Sequence, residues 1–354
     1  MIIYSKNSDH CNAAIDYYET PIKMIIEHTS NLMEKSGGIA KQLFNFEKSN
    51  NFGETIVGSA GFDTFSAVVE GGEAERDTFY ENHNKFIEHI QFMKEFVISA
   101  EMMEDAKYGI ATSAKHRAES FARAYHKTIN KICEMALCNS TSYSMQYGTR
   151  EINISAPDNL PLFSGNHYYG ISEIDTFGRQ SNFFWGDIFK SGAEGSRVAS
   201  VEVFEEALAN LSIKLRNMLN DRGEALGYTA DTIILPGNRP LAEIMVKKVC
   251  GNLGAINSGY NNISAHFGAW NVVVLPNWRT DDDRIMIMSS EANKNLCGNM
   301  FFNRVPLTVS NWIDHHTGNY IWNGRCRFGI GFASYRHILL AVDSATEIEN
   351  ATEM

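Results

Sequence analysis

Between Glu104 and Leu137 the chain contains little that stops a helix: there is no proline, and the only glycine is Gly109. Within this stretch Ile110, Ala114, Ala118, Phe121, Tyr125, Ile129, Ile132 and Ala136 recur at steps of three and four residues. That spacing predicts one continuous apolar stripe on an amphipathic helix. About 33 residues at 1.5 Å each give a rod of roughly 50 Å, longer than the usual globular helix. A chain that commits this much length to one rod builds either a coiled-coil arm or an elongated domain around it. The stripe has small residues at one end and aromatics in its middle, with no leucine heptad, which favours the elongated domain.

The 354 residues are enough for one large domain or two to three smaller ones. Apolar residues make up 44%, ordinary for a chain with a real core, and charged residues 21%. The net charge of -11 argues against a nucleic-acid binder in its own right, because such binders carry basic stripes. No apolar run reaches the roughly 18 residues of a membrane span, so no membrane partner is expected. The N-terminal "MIIYSKNSDHCNAA" lacks a signal-peptide core, which points to the cytosol. The six cysteines, Cys11, Cys133, Cys138, Cys250, Cys297 and Cys326, include no C-x-x-C pair and read as small buried hydrophobes.

Along the chain, the first sixty residues are weakly patterned, with a short helix broken at Gly37-Gly38. Residues 61–82 read as a long exposed hairpin: strand-like alternation around Phe65 and Val68, then a polar tip with Glu73, Glu75, Arg76 and Asp77. Residues 85–99 fit strand and helix almost equally; strand is favoured because it would pair with the first half of the hairpin. After the long helix, residues 139–200 are rich in Gly, Asn, Ser and aromatics, the composition of irregular strands and loops. A helix is predicted over residues 201–220, and a strand (232–235), turn and helix (from Asn238 and Pro240 to Gly251) follow. Strands are predicted at 271–275 and 284–288, with Asp281, Asp282 and Asp283 as a solvated turn before the second. Residues 325–342 read as one closing strand, in which Gly329 and Gly331 share a face closely approached by another backbone.

One run invites a chemical reading. Asp314, His315 and His316 form an Asp-His-His triplet, as in one family of metal-dependent phosphoesterases. Such an enzyme gathers several carboxylates and histidines around two metals to activate water. Here only 38 residues follow His316, and they read as strand. The triplet is therefore read as a turn, with a metal-dependent phosphohydrolase as the alternative. No phosphate-binding glycine loop opens a helix, and no G-x-S-x-G elbow is present. His126, with Lys127 and Asn130, reads as a solvated helix face. No catalytic residue, metal ligand or cofactor site is expected.

Three segments carry a family resemblance. "APDNLPLFSGNH" (156–167) resembles the segment after the spine helix in Mu-like phage head proteins, where an Asp, a Leu-Phe pair and an Asn-His recur. "YTADTIILPGNRPLAEIMVKKV" (228–249) resembles their strand-Pro-helix unit, and "WNGRCRFGIGFASYRHILLAV" (322–342) their closing strand. In this order, over roughly residues 61–342, the chain resembles the tailed-bacteriophage major capsid protein of the Hong Kong 97 type. The resemblance implies an α+β fold with a long spine helix. Its parts would be an N-terminal arm (1–60), an extended hairpin or E-loop (61–99), a peripheral domain with the spine helix (100–200), a mainly axial α/β domain (201–310) and a C-terminal returning strand and tail (311–354). It implies a subunit assembled in the host bacterial cytoplasm into the icosahedral shell of a virion. The implied partners are copies of itself as pentamers and hexamers, scaffold, portal and decoration proteins, and packaged double-stranded DNA by non-specific proximity. Phe65, Val68, Glu73, Glu75, Arg76 and Asp77 are the expected inter-subunit contacts, the charges fixing register. An encapsulin-like compartment would share the fold.

Overall fold

A computed structural model describes residues 3–4, 13–60, 62, 64–74, 76–78, 80–99, 101–102, 112–170, 178–191, 198–250 and 268–343. The chain divides into two units: Met1–Glu54, Ile87–Cys133 and Phe301–Ile330 form the first, and Thr55–Phe86, Glu134–Met300 and Gly331–Met354 the second. Both mix helix and sheet. Among the described residues no helix is long and apolar enough to cross a membrane.

The long helix is Thr112–Cys138, whose residues up to Cys133 belong to the first unit, and the predicted stripe is its buried face. Ala114, Ala118, Phe121, Ala122, Ile129 and Ile132 are buried. Ile110 and the expected start at Glu104 lie outside the described residues. The small alanines leave room for a second helix, Ala13–Lys35, whose Ile22 and Ile26 join them over Ile98, Leu307, Val309 and Trp322. The N-terminal helix was expected to be short. It has 23 residues, tolerates Pro21 inside it, and ends just before Gly37 and Gly38.

Beneath these helices lies a sheet in the order Ile3–Tyr4, Asn299–Ile313, Tyr320–Phe332, Ile90–Ile98, with Asn45–Lys48 also pairing Asn299–Ile313. The ambiguous residues 85–99 are strand, in two pieces that break at His89. Residues 85–88 end the strand Tyr80–Glu88, which pairs with Gly53–Ala60, whereas the second piece pairs elsewhere. Ile90–Ile98 runs antiparallel to Tyr320–Phe328 and not beside the hairpin, placing Phe96 within reach of both Phe121 and Trp322. The expected close approach at Gly329 is present: a Cβ there would lie 2.8 Å from the Glu88 carbonyl oxygen.

The second unit holds a five-stranded sheet in the order Phe183–Gly186, Ile338–Asp343, Arg284–Met288, Thr232–Pro236, Asn271–Leu275. Thr232–Pro236 and Asn271–Leu275 are parallel, joined through the helix Pro240–Cys250, and Arg284–Met288 returns antiparallel. The helix Val201–Arg216 buries Phe204, Ala207, Leu208, Leu211 and Leu215 against Ile233, Leu235, Ile285 and Ile287. Ser200 caps it by accepting the Glu202 N–H. It ends at Arg216 and not Asn220, because Leu219 turns away to bridge Ala225.

Two expectations are corrected here. Residues 325–342 are not one strand: Tyr320–Phe332 ends, the chain breaks pairing, and Ile338–Asp343 belongs to the five-stranded sheet. The interruption places Tyr335 against His167 and buries His337 on Asn299. The acidic run is not simply solvated either. Asp281 is exposed, but Asp282 is buried on Arg284, and Asp283 pairs with Lys190 at 3.0 Å.

Candidate functional site

The hairpin is present, but its strands lie outside the predicted stretch. Gly53–Ala60 pairs with Tyr80–Glu88, and the described residues between them form no strand. The alternation around Phe65 fails as a strand for a physical reason: a half-buried strand needs a surface to cover its apolar face. Phe65 is 107% exposed, Val69 81% and Val68 49%. The chain reverses at residues 69–72, where the Gly72 N–H donates to the Val69 carbonyl at 2.8 Å. Gly71 sits at φ 81, the left-handed conformation that a turn of this kind requires of its third residue.

Of the other predicted contacts, Glu73 and Arg76 are exposed, and Glu75 lies outside the described residues. Asp77 is engaged within its own chain: Arg222 Nη2 donates to its Oδ1 at 2.9 Å and to the Thr78 carbonyl at 3.2 Å. Among the described residues between the two hairpin strands, Phe65, Val68 and Val69 are thus exposed, as is Phe62. Val69, which the sequence reading does not name, is exposed next to Val68 in the chain.

The "APDNLPLFSGNH" segment builds a buried polar cluster in the second unit. Leu162 and Phe163 are core residues. His167 is fully buried, with Nδ1 2.7 Å from Asp158 Oδ2 and Nε2 3.0 Å from the Leu162 carbonyl. Its ring stacks on Tyr335 at 3.8 Å, 3° from parallel. The Tyr335 hydroxyl donates to the Tyr168 carbonyl at 2.9 Å and accepts from Gln180 at 2.8 Å, while Arg336 pairs with Asp221. Nearby, buried Lys85 donates to Asn153 at 2.9 Å and Ser155 at 3.0 Å. Burial pushes its ammonium down to about 8 against the opposing charge of Asp158. Each central group is tied to its neighbours, an arrangement that fastens distant segments together.

This fastener predicts a pH response. Burial pushes the Asp158 carboxyl up, but the hydrogen bond and charge of His167 outweigh it and hold it below the usual carboxylate range. A carboxyl depressed in the folded state contributes stability above about pH 4, and that contribution is lost as pH falls through the folded value. Urea unfolding between about pH 2 and pH 5 should therefore show a steeper acid loss in the wild type than in Asp158→Asn. Identical slopes would contradict this role.

The Asp-His-His run forms an exposed turn between Asn299–Ile313 and Tyr320–Phe332. Asp314 accepts the Thr317 hydroxyl at 2.6 Å and the His316 N–H at 3.1 Å, and these bonds lower its carboxyl. Among the described residues no three His, Cys, Asp or Glu side chains gather as a metal-binding group. His126 corrects another reading. It is half-buried, with Nε2 2.8 Å from Ser30 Oγ, so it helps dock the N-terminal helix and is not on a solvated face.

No protein-family model matches the chain, and no curated protein sequence matches it. Solved structures do. A chain in the capsid of Myoviridae phage XM1 aligns with TM-score 0.50 at 14% identity, covering 85% of this chain and 89% of that one. A chain of Mycobacterium phage Patience aligns with TM-score 0.49 at 15% identity, covering 99% and 93%. A chain in the capsid of an empty GTA particle aligns with TM-score 0.47 at 14% identity, covering 86% and 89%. The chain shares its fold with the XM1 capsid chain over most of the length of both.

Proposed function

We propose that this chain is a major capsid subunit of the Hong Kong 97 type, assembling as pentamers and hexamers into the icosahedral shell of a phage virion in the host bacterial cytoplasm. The observation that carries this reading is fold agreement with the XM1 capsid chain over 85% of this chain and 89% of the other, which is nearly a whole subunit and not one shared motif. In this reading Thr112–Cys138 is the spine helix, and the arm from Gly53 to Glu88 is the E-loop. The five-stranded sheet with its two helices is the core of the axial domain, and residues 139–200 belong to the peripheral domain. Scaffold, portal and decoration proteins are the further partners.

The exposed tip supports the same reading. A lone apolar side chain on a surface is ordinary, but Phe65, Val68 and Val69 are all exposed within five residues of chain. In a shell, a neighbouring copy covers them. Head-to-tail contacts of this type close into rings when the rotation between copies permits. The purified chain should sediment as pentamers, hexamers or megadalton particles without stoichiometric divalent metal. A small species carrying metal would favour the phosphohydrolase instead. Particles filled with protein cargo would make the shell an encapsulin-like compartment.

A further inference from the structure

The long helix carries a charge opposite to that of the chain. Between Thr112 and Cys138 there are five Lys or Arg residues and two Glu, a net of +3 in a chain of net -11. Its buried stripe fixes where those cations point. Three of them, Arg123, Lys127 and Lys131, recur at steps of four residues on the face opposite Ala118, Phe121 and Ile129, where the imidazole of His116 also lies, and all four side chains are exposed. Arg117 is exposed beside them and donates to the Val97 carbonyl, and Lys94 and Glu95 line the same hollow as His116 and Arg117.

Such a face is unusual for a merely solvated helix. Like charges four residues apart, as in Arg123, Lys127 and Lys131, destabilise a helix. Glu119 lies 3.8 Å from Arg123 and 3.9 Å from His116, and Glu134, three residues beyond Lys131, is occupied by Asn277. The cations Arg123, Lys127 and Lys131 span about 12 Å of the helix, each a turn from the next, an extended row and not a single point of charge. The matching ligand is an extended polyanion. No large apolar side chain from Ala114 to Cys133 is exposed, so the row lacks the apolar centre of a protein interface.

We infer that this face of the long helix binds the sugar-phosphate backbone of double-stranded DNA, without reading its sequence. The inference rests on the shell reading, which supplies enclosed DNA. It revises the expectation drawn from net charge: the acidic total conceals a local basic stripe. Backbone binding of this kind releases condensed counterions, so its signature is salt dependence.

The test measures binding of two fluorescent duplexes of unrelated sequence to unassembled full-length chain at several salt concentrations. The wild type should bind both alike. The slope of log affinity against log salt should fall by about 2.7 in Arg123→Gln/Lys127→Gln/Lys131→Gln, at about 0.9 per lost phosphate contact. The charge-preserving Arg123→Lys/Lys127→Arg/Lys131→Arg should keep the wild-type slope. An unchanged slope in the Gln variant, with its circular dichroism intact, overturns the proposal. So does a result in which a peptide copying residues 64–78, and not the duplex, needs these cations; the face would then be a contact between copies. Electron microscopy of the wild type separates the two claims. Shells with an unchanged slope sink only the DNA site, whereas absent shells with the slope loss intact sink only the shell reading.

Discussion

Phe65→Ser/Val68→Ser/Val69→Ser should leave the subunit folded and abolish closed shells. All three side chains lie in water in the isolated chain, so removing them takes nothing from its own core. Surface changes of this kind typically alter stability by less than about 0.5 kcal/mol. If a neighbouring copy buries them, each contributes about 1.5–3 kcal/mol to that contact. Losing three such anchors weakens each contact by about three orders of magnitude or more, at about 1.4 kcal/mol per tenfold. Circular dichroism reads the fold, and sedimentation reads the assembly. Normal shells from the triple variant would mean that the arm is not the intersubunit contact, and lost fold would place these residues in a core.

The second large effect lies inside the subunit. Phe121→Ala should lower the unfolding free energy by about 3–5 kcal/mol, the range for deleting a buried aromatic that its surroundings cannot replace. Phe121 is packed on Phe96 at 5.0 Å between ring centroids and belongs to the cluster joining both helices to the sheet. Lys127→Ala, on the opposite exposed face, should change stability by less than about 0.5 kcal/mol. Denaturant unfolding compares the two. Equal effects would mean that the stripe is not what the helix buries.

What could be read from residues alone follows a physical line. Asn271–Leu275 and Arg284–Met288 lie at their predicted positions because each is an apolar run bounded by turn residues, a signal written locally. The long helix was legible for the same reason, since its stripe repeats over many turns. The hairpin's first strand was missed because "GETIVGSA" is small and mixed, whereas the alternation around Phe65 imitates a strand that no surface in the chain completes. The break in the closing strand is set by Tyr335 stacking on His167, a contact between residues far apart in sequence. Asp158 and His167 stood within a motif noticed only as a resemblance; their 2.7 Å pairing gives it a physical role. The basic stripe is written locally as Arg123, Lys127 and Lys131, four residues apart, and a net charge summed over the whole chain hides it. The Asp-His-His run has the residue types of a metal site, but its carboxylate is used by its own turn.

The central claim is that this chain exists to meet copies of itself. Electron microscopy of the purified full-length protein tests it most directly. The account predicts closed icosahedral shells built of pentamers and hexamers, with the tip carrying Phe65, Val68 and Val69 seated on a neighbouring subunit. A uniform population of monomers or small oligomers that forms no rings or shells under any assembly condition would contradict it.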